Sequence, residues 1–130
     1  MGDKMSAATN ALNWFEISVT DMKRAQKFYE AIFDISMIPV EMMGMAMAMF
    51  NDGSSGASGG ALVKSENHIP SMDGAVIYLN ANPDLQLVLN RVEKAGGKIL
   101  MPKVLIDENT GNMAFILDTE GNKVGLHSNG

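Results

Sequence analysis

The chain has 130 residues, of which 46% are hydrophobic, and carries a net charge of −5; that length suits one domain, or two small halves sharing a core. No apolar run approaches the roughly 20 residues that span a bilayer, "MGDKMSAATN" has no apolar export core, and the ten basic residues are scattered, without the stripe that nucleic-acid binding needs. The absence of cysteine excludes disulfides, thiolate metal ligands and cysteine nucleophiles, so the expectation is a cytoplasmic protein that engages neither membrane nor nucleic acid.

The first predicted element is the strand "NWFEISV". Its alternation sends Phe15, Ile17 and Val19 to one face and Trp14, Glu16 and Ser18 to the other. Asp21 then caps a helix over Met22–Phe33, with Met22, Ala25, Tyr29, Ile32 and Phe33 as its apolar face. A strand near Ser36–Met43 follows. Next comes Met45–Asn51, where methionine alternates with alanine at the period of a strand, so Met45, Met47 and Met49 form a ladder on one face. Gly60–Lys64 closes the first half, and the polar stretch 65–73, with His68 and Pro70, reads as a solvated linker. In "AVIYLN", Ala75, Ile77 and Leu79 face a helix while Val76, Tyr78 and Asn80 face away. Asn82 and Pro83 open a helix over Asp84–Ala95, striped by Leu85, Val88, Leu89 and Val92 and stopped by Gly96-Gly97. Strands near Lys98–Val104, Met113–Leu117 and Lys123–His127 complete the chain.

The halves repeat each other. A shift of 63 lays Asp21-Met22 on Asp84-Leu85 and Pro39 on Pro102; "MAMFND" falls on "MAFILD" and "GALV" on "KVGL". Such repeats decide the fold before local patterns do. Each half reads strand, helix, strand, strand, strand: one module over about 11–64, a linker over 65–73, and a second module over about 75–127, within a single domain over 1–130.

"FEISVTDMKRAQKFYEAIF", "YLNANPDLQLVLNRVEKAGGKIL" and "FILDTEGNKVGLHS" together resemble the vicinal oxygen chelate superfamily of glyoxalase I, bleomycin-resistance proteins and extradiol dioxygenases. The resemblance implies an α+β fold of two tandem βαβββ modules. Their curved mixed sheets form a cup, with the helices on the outer face. It also implies a homodimer and a lyase- or dioxygenase-like activity. Metal-dependent members hold a divalent ion with His and Glu side chains of the first and last strands of each module. The matching positions here are Trp14, Leu62, Val76 and Gly125, none of which can ligate, so neither metal nor other cofactor is expected.

Alternation places Trp14, Glu16, Leu62, Lys64, Val76, Tyr78, Gly125 and His127 on the face away from the helices. Ligand sites combine an apolar wall with a few polar groups in this way. Glu16 and His127 are the candidate catalytic pair, and Trp14, Tyr78, Lys64, Met45, Met47 and Met49 the candidate ligand-binding residues. Simpler roles stand beside these. Glu16 pairs with Lys64 or Lys123, His127 is a tail residue, and the methionines fill a dry core or a chain–chain contact. "NDGSSGASGG" lacks the Gly-Lys-Ser/Thr of a phosphate loop, and "DENTGN" reads as a hairpin turn rather than a calcium loop. Three functions follow: binding of a small, partly apolar molecule without metal; a metal-independent lyase or isomerase using Glu16 and His127; or a dimeric interaction protein whose cup is filled by its own side chains.

Overall fold

The computed structural model describes residues 2–130. Its elements are β1 (Trp14–Ser18), α1 (Met22–Phe33), β2 (Ile38–Met42), β3 (Met45–Asn51), β4 (Gly59–Lys64), β5 (Tyr78–Asn80), α2 (Leu85–Val92), β6 (Lys98–Asp107), β7 (Gly111–Leu117) and β8 (Lys123–Ser128). They build two four-stranded mixed sheets, ordered β1-β4-β3-β2 and β5-β8-β7-β6, the same topology twice. In each, the first strand runs parallel to the last, and the remaining pairings are antiparallel. This is the expected α+β architecture.

The repeat is visible in the caps. The Asp21 and Asp84 side chains accept from the amides of Arg24 and Gln86, each satisfying a free N–H at its helix start. The helix α2 ends at Val92, before the expected Ala95, because the chain tightens into a turn in which the Gly97 amide donates to Val92 O and Gly96 takes a φ of 106°. Met43 stands outside the methionine ladder. With Gly44 it forms a two-residue hairpin turn, both at positive φ (54° and 76°), between the paired Met42 and Met45.

One core serves both modules. Ile17, Phe28, Tyr29 and Ile32 of the first join Leu85, Leu89, Ile116 and Leu126 of the second. A polar clasp closes the modules at one end. The β7–β8 turn presents Asp118, which accepts from Tyr29 Oη at 2.7 Å, and Asn122, whose Nδ2 donates to Ser18 O at 2.7 Å. Glu120 accepts from the amides of Thr20 and Asp21 and pairs with Arg24 at 2.7 Å.

One face assignment is corrected. Ile17 and Ala48 lie in the helix-side core, and their register partner Leu62 lies there with them. Lys64 shares that parity and is exposed at the strand end, so neither Leu62 nor Lys64 belongs to the face away from the helices. Ala61 and Val63 take that face, against Met47 and Met49. "GGALV" is small or apolar on both parities, so alternation carried no signal there.

Candidate functional site

Strands β1 and β5 are each paired on one side only, with β4 and β8 respectively. At the clasp, Ser18 O on the free edge of β1 accepts from Asn122 of the opposite module. At the other end lies a cavity of about 1050 Å³, bounded by Trp14 and Glu16 of β1, Tyr78 of β5, and Phe33, Ile35 and Leu87 from the ends of the helices. By the repeat, the β3–β4 turn is the counterpart of the clasp turn. Its Asp52 accepts instead from Ser54 within its own loop, and that hydroxyl and the Ser54 amide hold the Asp52 carboxyl below its usual value. Asn51 at the end of β3, Ser58 of this turn and Asn82 of the β5–α2 loop also line the cavity.

Glu16 is held on the wall by two side chains. Its Oε1 accepts from His68 Nε2 at 2.7 Å and its Oε2 from Trp14 Nε1 at 3.2 Å. On its other side the His68 ring is anchored by Ser65, whose Oγ lies 2.6 Å from Nδ1. The simpler reading of Glu16 offered a lysine partner; the structure supplies an imidazole. His68 is not solvated as expected, its side chain being only 20% exposed. Nothing local in the sequence marks it, because the contact spans 52 residues of chain.

Tyr78 stands over β8. Its ring lies against Gly125, where a Cβ would come within 2.6 Å of Tyr78 Cδ2, and 5.7 Å from the ring of Phe115, over which Lys123 Nζ sits at 4.4 Å. The position where the resemblance would seek a metal ligand is therefore a glycine that makes room for an aromatic ring. Trp14 and Val76 add no donor, and neither do Ala61 and Val63, which take the face expected for Leu62. Among the described residues no three His, Asp or Glu side chains converge as a metal site would require. The donor set does not fit the family's ion.

The expected site residues do not all come together. Trp14, Glu16 and Tyr78 share the cavity; His127, Lys64, Met45, Met47 and Met49 do not line it. His127 lies on the expected face, but its Nε2 donates to Thr110 O at 2.6 Å, tying β8 to the β6–β7 turn. Met47 and Met49 do face away from the helices, yet they are buried with Ala61 and Val63 in a small cluster of their own, against which Trp14 and Met45 pack. Charges around the cavity are mostly acidic: Glu16, Asp34 and Asp84 against Arg91. Arg91 Nη1 donates to Ile32 O at 3.1 Å. Lys103, 2.8 Å from Asp84, holds that carboxyl below its usual value by hydrogen bonding, with help from the Gln86 amide.

The chain is 29% identical over 118 residues to CFP32 of Mycobacterium tuberculosis and of Mycobacterium bovis, named as a candidate glyoxylase; the match covers 88% of this chain and spans only 44% of those relatives' length. Among solved structures, a glyoxalase/bleomycin resistance protein from Albidiferax ferrireducens superposes with a TM-score of 0.69 at 17% identity, covering 92% of this chain and 98% of that one. A glyoxalase I mutant from Zea mays superposes at 0.67 and 16% identity, covering 89% of this chain and 44% of that one. A glyoxalase/bleomycin resistance protein from a Streptomyces species gives 0.62 at 19%, covering 91% and 100%. At these identities the structural likeness speaks for the fold. The family model for the Glyoxalase/Bleomycin resistance protein/Dioxygenase superfamily matches residues 11–126, nearly the whole chain, and the chain belongs to that superfamily.

Proposed function

We propose that this chain binds a small, partly apolar molecule in the cavity between β1 and β5, with Glu16 and Tyr78 as polar handles, Trp14 as an aromatic wall, and no divalent metal. The observation that carries this reading is the cavity itself. It brings those three side chains together among apolar neighbours at about 1050 Å³, near the upper end of the roughly 300–1,000 Å³ usual for ligand pockets. Fragment screening by ligand-detected NMR should yield cavity binders. Glu16→Gln and Tyr78→Phe should weaken them about tenfold without loss of thermal stability, while Lys64→Ala should not. Binders that map elsewhere, or are indifferent to both variants, would sink the reading. One zinc, nickel, iron or manganese ion per chain by elemental analysis would overturn its metal-free part.

The hydrogen-bonded series Ser65, His68, Glu16 favours a second reading, a metal-independent lyase or isomerase. A carboxylate on the cavity wall, backed by an imidazole that is itself hydrogen-bonded to Ser65, is equipped to take up and return a proton. His68 would then fill the role that the sequence reading gave to His127. Turnover abolished by Glu16→Gln, and shifted in its pH profile by His68→Ala, would separate this enzyme from a binding protein.

A further inference from the structure

The two strands beside the cavity turn an edge toward it. Every residue from Ala75 to Asn82 lines it, and so do Trp14, Phe15 and Glu16 in succession. A strand face would contribute alternate residues only. The main chain on these edges can be assigned. Ile77 O accepts from the Gly125 amide at 2.9 Å and the Ala81 amide donates to His127 O at 2.8 Å. In a parallel ladder this engages the odd-numbered residues of β5 with β8 and leaves Val76, Tyr78 and Asn80 with N–H and C=O directed outward. On β1 the Val19 amide donates to Val63 O at 3.0 Å, so by the same parity Trp14, Glu16 and Ser18 point away from β4. Ser18 O demonstrates it, since it accepts from Asn122 of the opposite module.

We propose that the cavity receives a short peptide in extended conformation, as an added strand between β1 and β5. Its main chain pairs with Val76, Tyr78 and Asn80 on one side and with Trp14 and Glu16 on the other. This rests on the reading of the cavity as the binding site and names the class of its ligand. Hydrogen bonding sets the class. A ligand without amides would exclude water from two rows of main-chain donors and acceptors and leave them unpaired, at about 1–3 kcal/mol for each buried group. An extended peptide satisfies both rows, as strands added to open sheet edges do. Of the three carboxylates around the cavity, Glu16 is bonded to His68 and Asp84 to Lys103, and the one guanidinium is engaged with Ile32 O, so Asp34 is the group that favours a basic residue in the peptide. Trp14, Tyr78 and Ile35 suit apolar residues alternating with basic ones.

The test is NMR titration of isotope-labelled protein with acetyl-capped Lys-Val-Lys-Val amide, and with the same peptide N-methylated at alternate amides. Shifts at the amides of Glu16, Val76, Tyr78 and Asn80, with binding at least about tenfold weaker for the methylated peptide, are expected. Equal binding of the two peptides, or shifts confined to other regions, would overturn the proposal. If the peptide is silent while the fragment screen finds cavity binders, the peptide inference alone falls. If both are silent, the reading of the cavity as a binding site falls with it.

Discussion

Single residues show how little of the site was fixed by residue type and how much by the groups around it. Gly125 carries no functional group, yet its missing Cβ is what lets the Tyr78 ring lie against β8 beside the cavity. Gly125→Ala should displace that ring and weaken cavity ligands several-fold while changing thermal stability little. Unchanged affinity would show that Tyr78 is not held by this contact. The methionines make the opposite case. Alternation read their face correctly, but burial removes Met47 and Met49 from the cavity, at 4% and 9% exposure. Met47→Ala should therefore cost about 2–5 kcal/mol of unfolding free energy through the space it empties, and leave the ligand affinity of the folded fraction unaltered. Denaturant unfolding and a binding isotherm on the same variant measure both. His127 and Glu16 were read together because each faces away from the helices; the structure gives each a different partner, Thr110 O and His68. Parity along a strand gives the face of a residue, but not which neighbour across the fold will claim it.

At the level of elements the sequence was informative where its pattern had a single solution. The strand β3 and the helix α1 have the expected bounds, since a strict period of two and an Asp cap before an amphipathic run leave little choice. The strand β4 was misread because its residues are apolar on both faces, and β6 runs on to Asp107 through register shifts that no local pattern announces. The clasp turn was visible only as a fragment of the family resemblance; its energetics come from the fold. Burial alone would raise the Glu120 carboxyl, but the hydrogen bond from Arg24 and those from the Asp21 and Thr20 amides outweigh it and bring it from 4.5 to about 2. A carboxylate depressed by folding stabilises the native state above its unfolded value, and that contribution is lost as pH falls through the folded one. The clasp should therefore weaken between about pH 4.5 and 2. Glu120→Gln should lower stability at neutral pH by roughly 1–2 kcal/mol, the full shift being discounted for solvent screening at the half-exposed Arg24, and flatten the acid limb of the pH–stability curve. An acid limb identical to that of the unmodified protein would show that the Glu120 carboxylate is not what holds the modules there.

Across the whole molecule, the duplicated topology creates two inner and two outer edges, and they have different fates. The inner edges, β1 and β5, bound the clasp and the cavity. The outer edges, β2 and β6, have no strand beyond them, and each carries exposed apolar side chains: Ile38 and Met42 on β2, Leu100, Val104, Leu105 and Ile106 on β6. Open edges with apolar side chains invite pairing unless they are covered, and the contribution of Pro39 and Pro102 is only one missing main-chain donor each. We propose that a second copy of the same chain covers both edges by symmetry, as the homodimer that the resemblance implies. Light scattering should give a mass near twice the 14.0 kDa of one chain. Leu105→Lys, at a side chain that is 59% exposed and so contributes little to the fold of one chain, should shift the equilibrium toward single chains without lowering the cooperativity of unfolding. A mass of one chain, unchanged over a hundredfold range of concentration, would remove the dimer. The exposed row on β6 would then be a surface for some other partner, and the cavity, walled by a single chain, would stand unaffected.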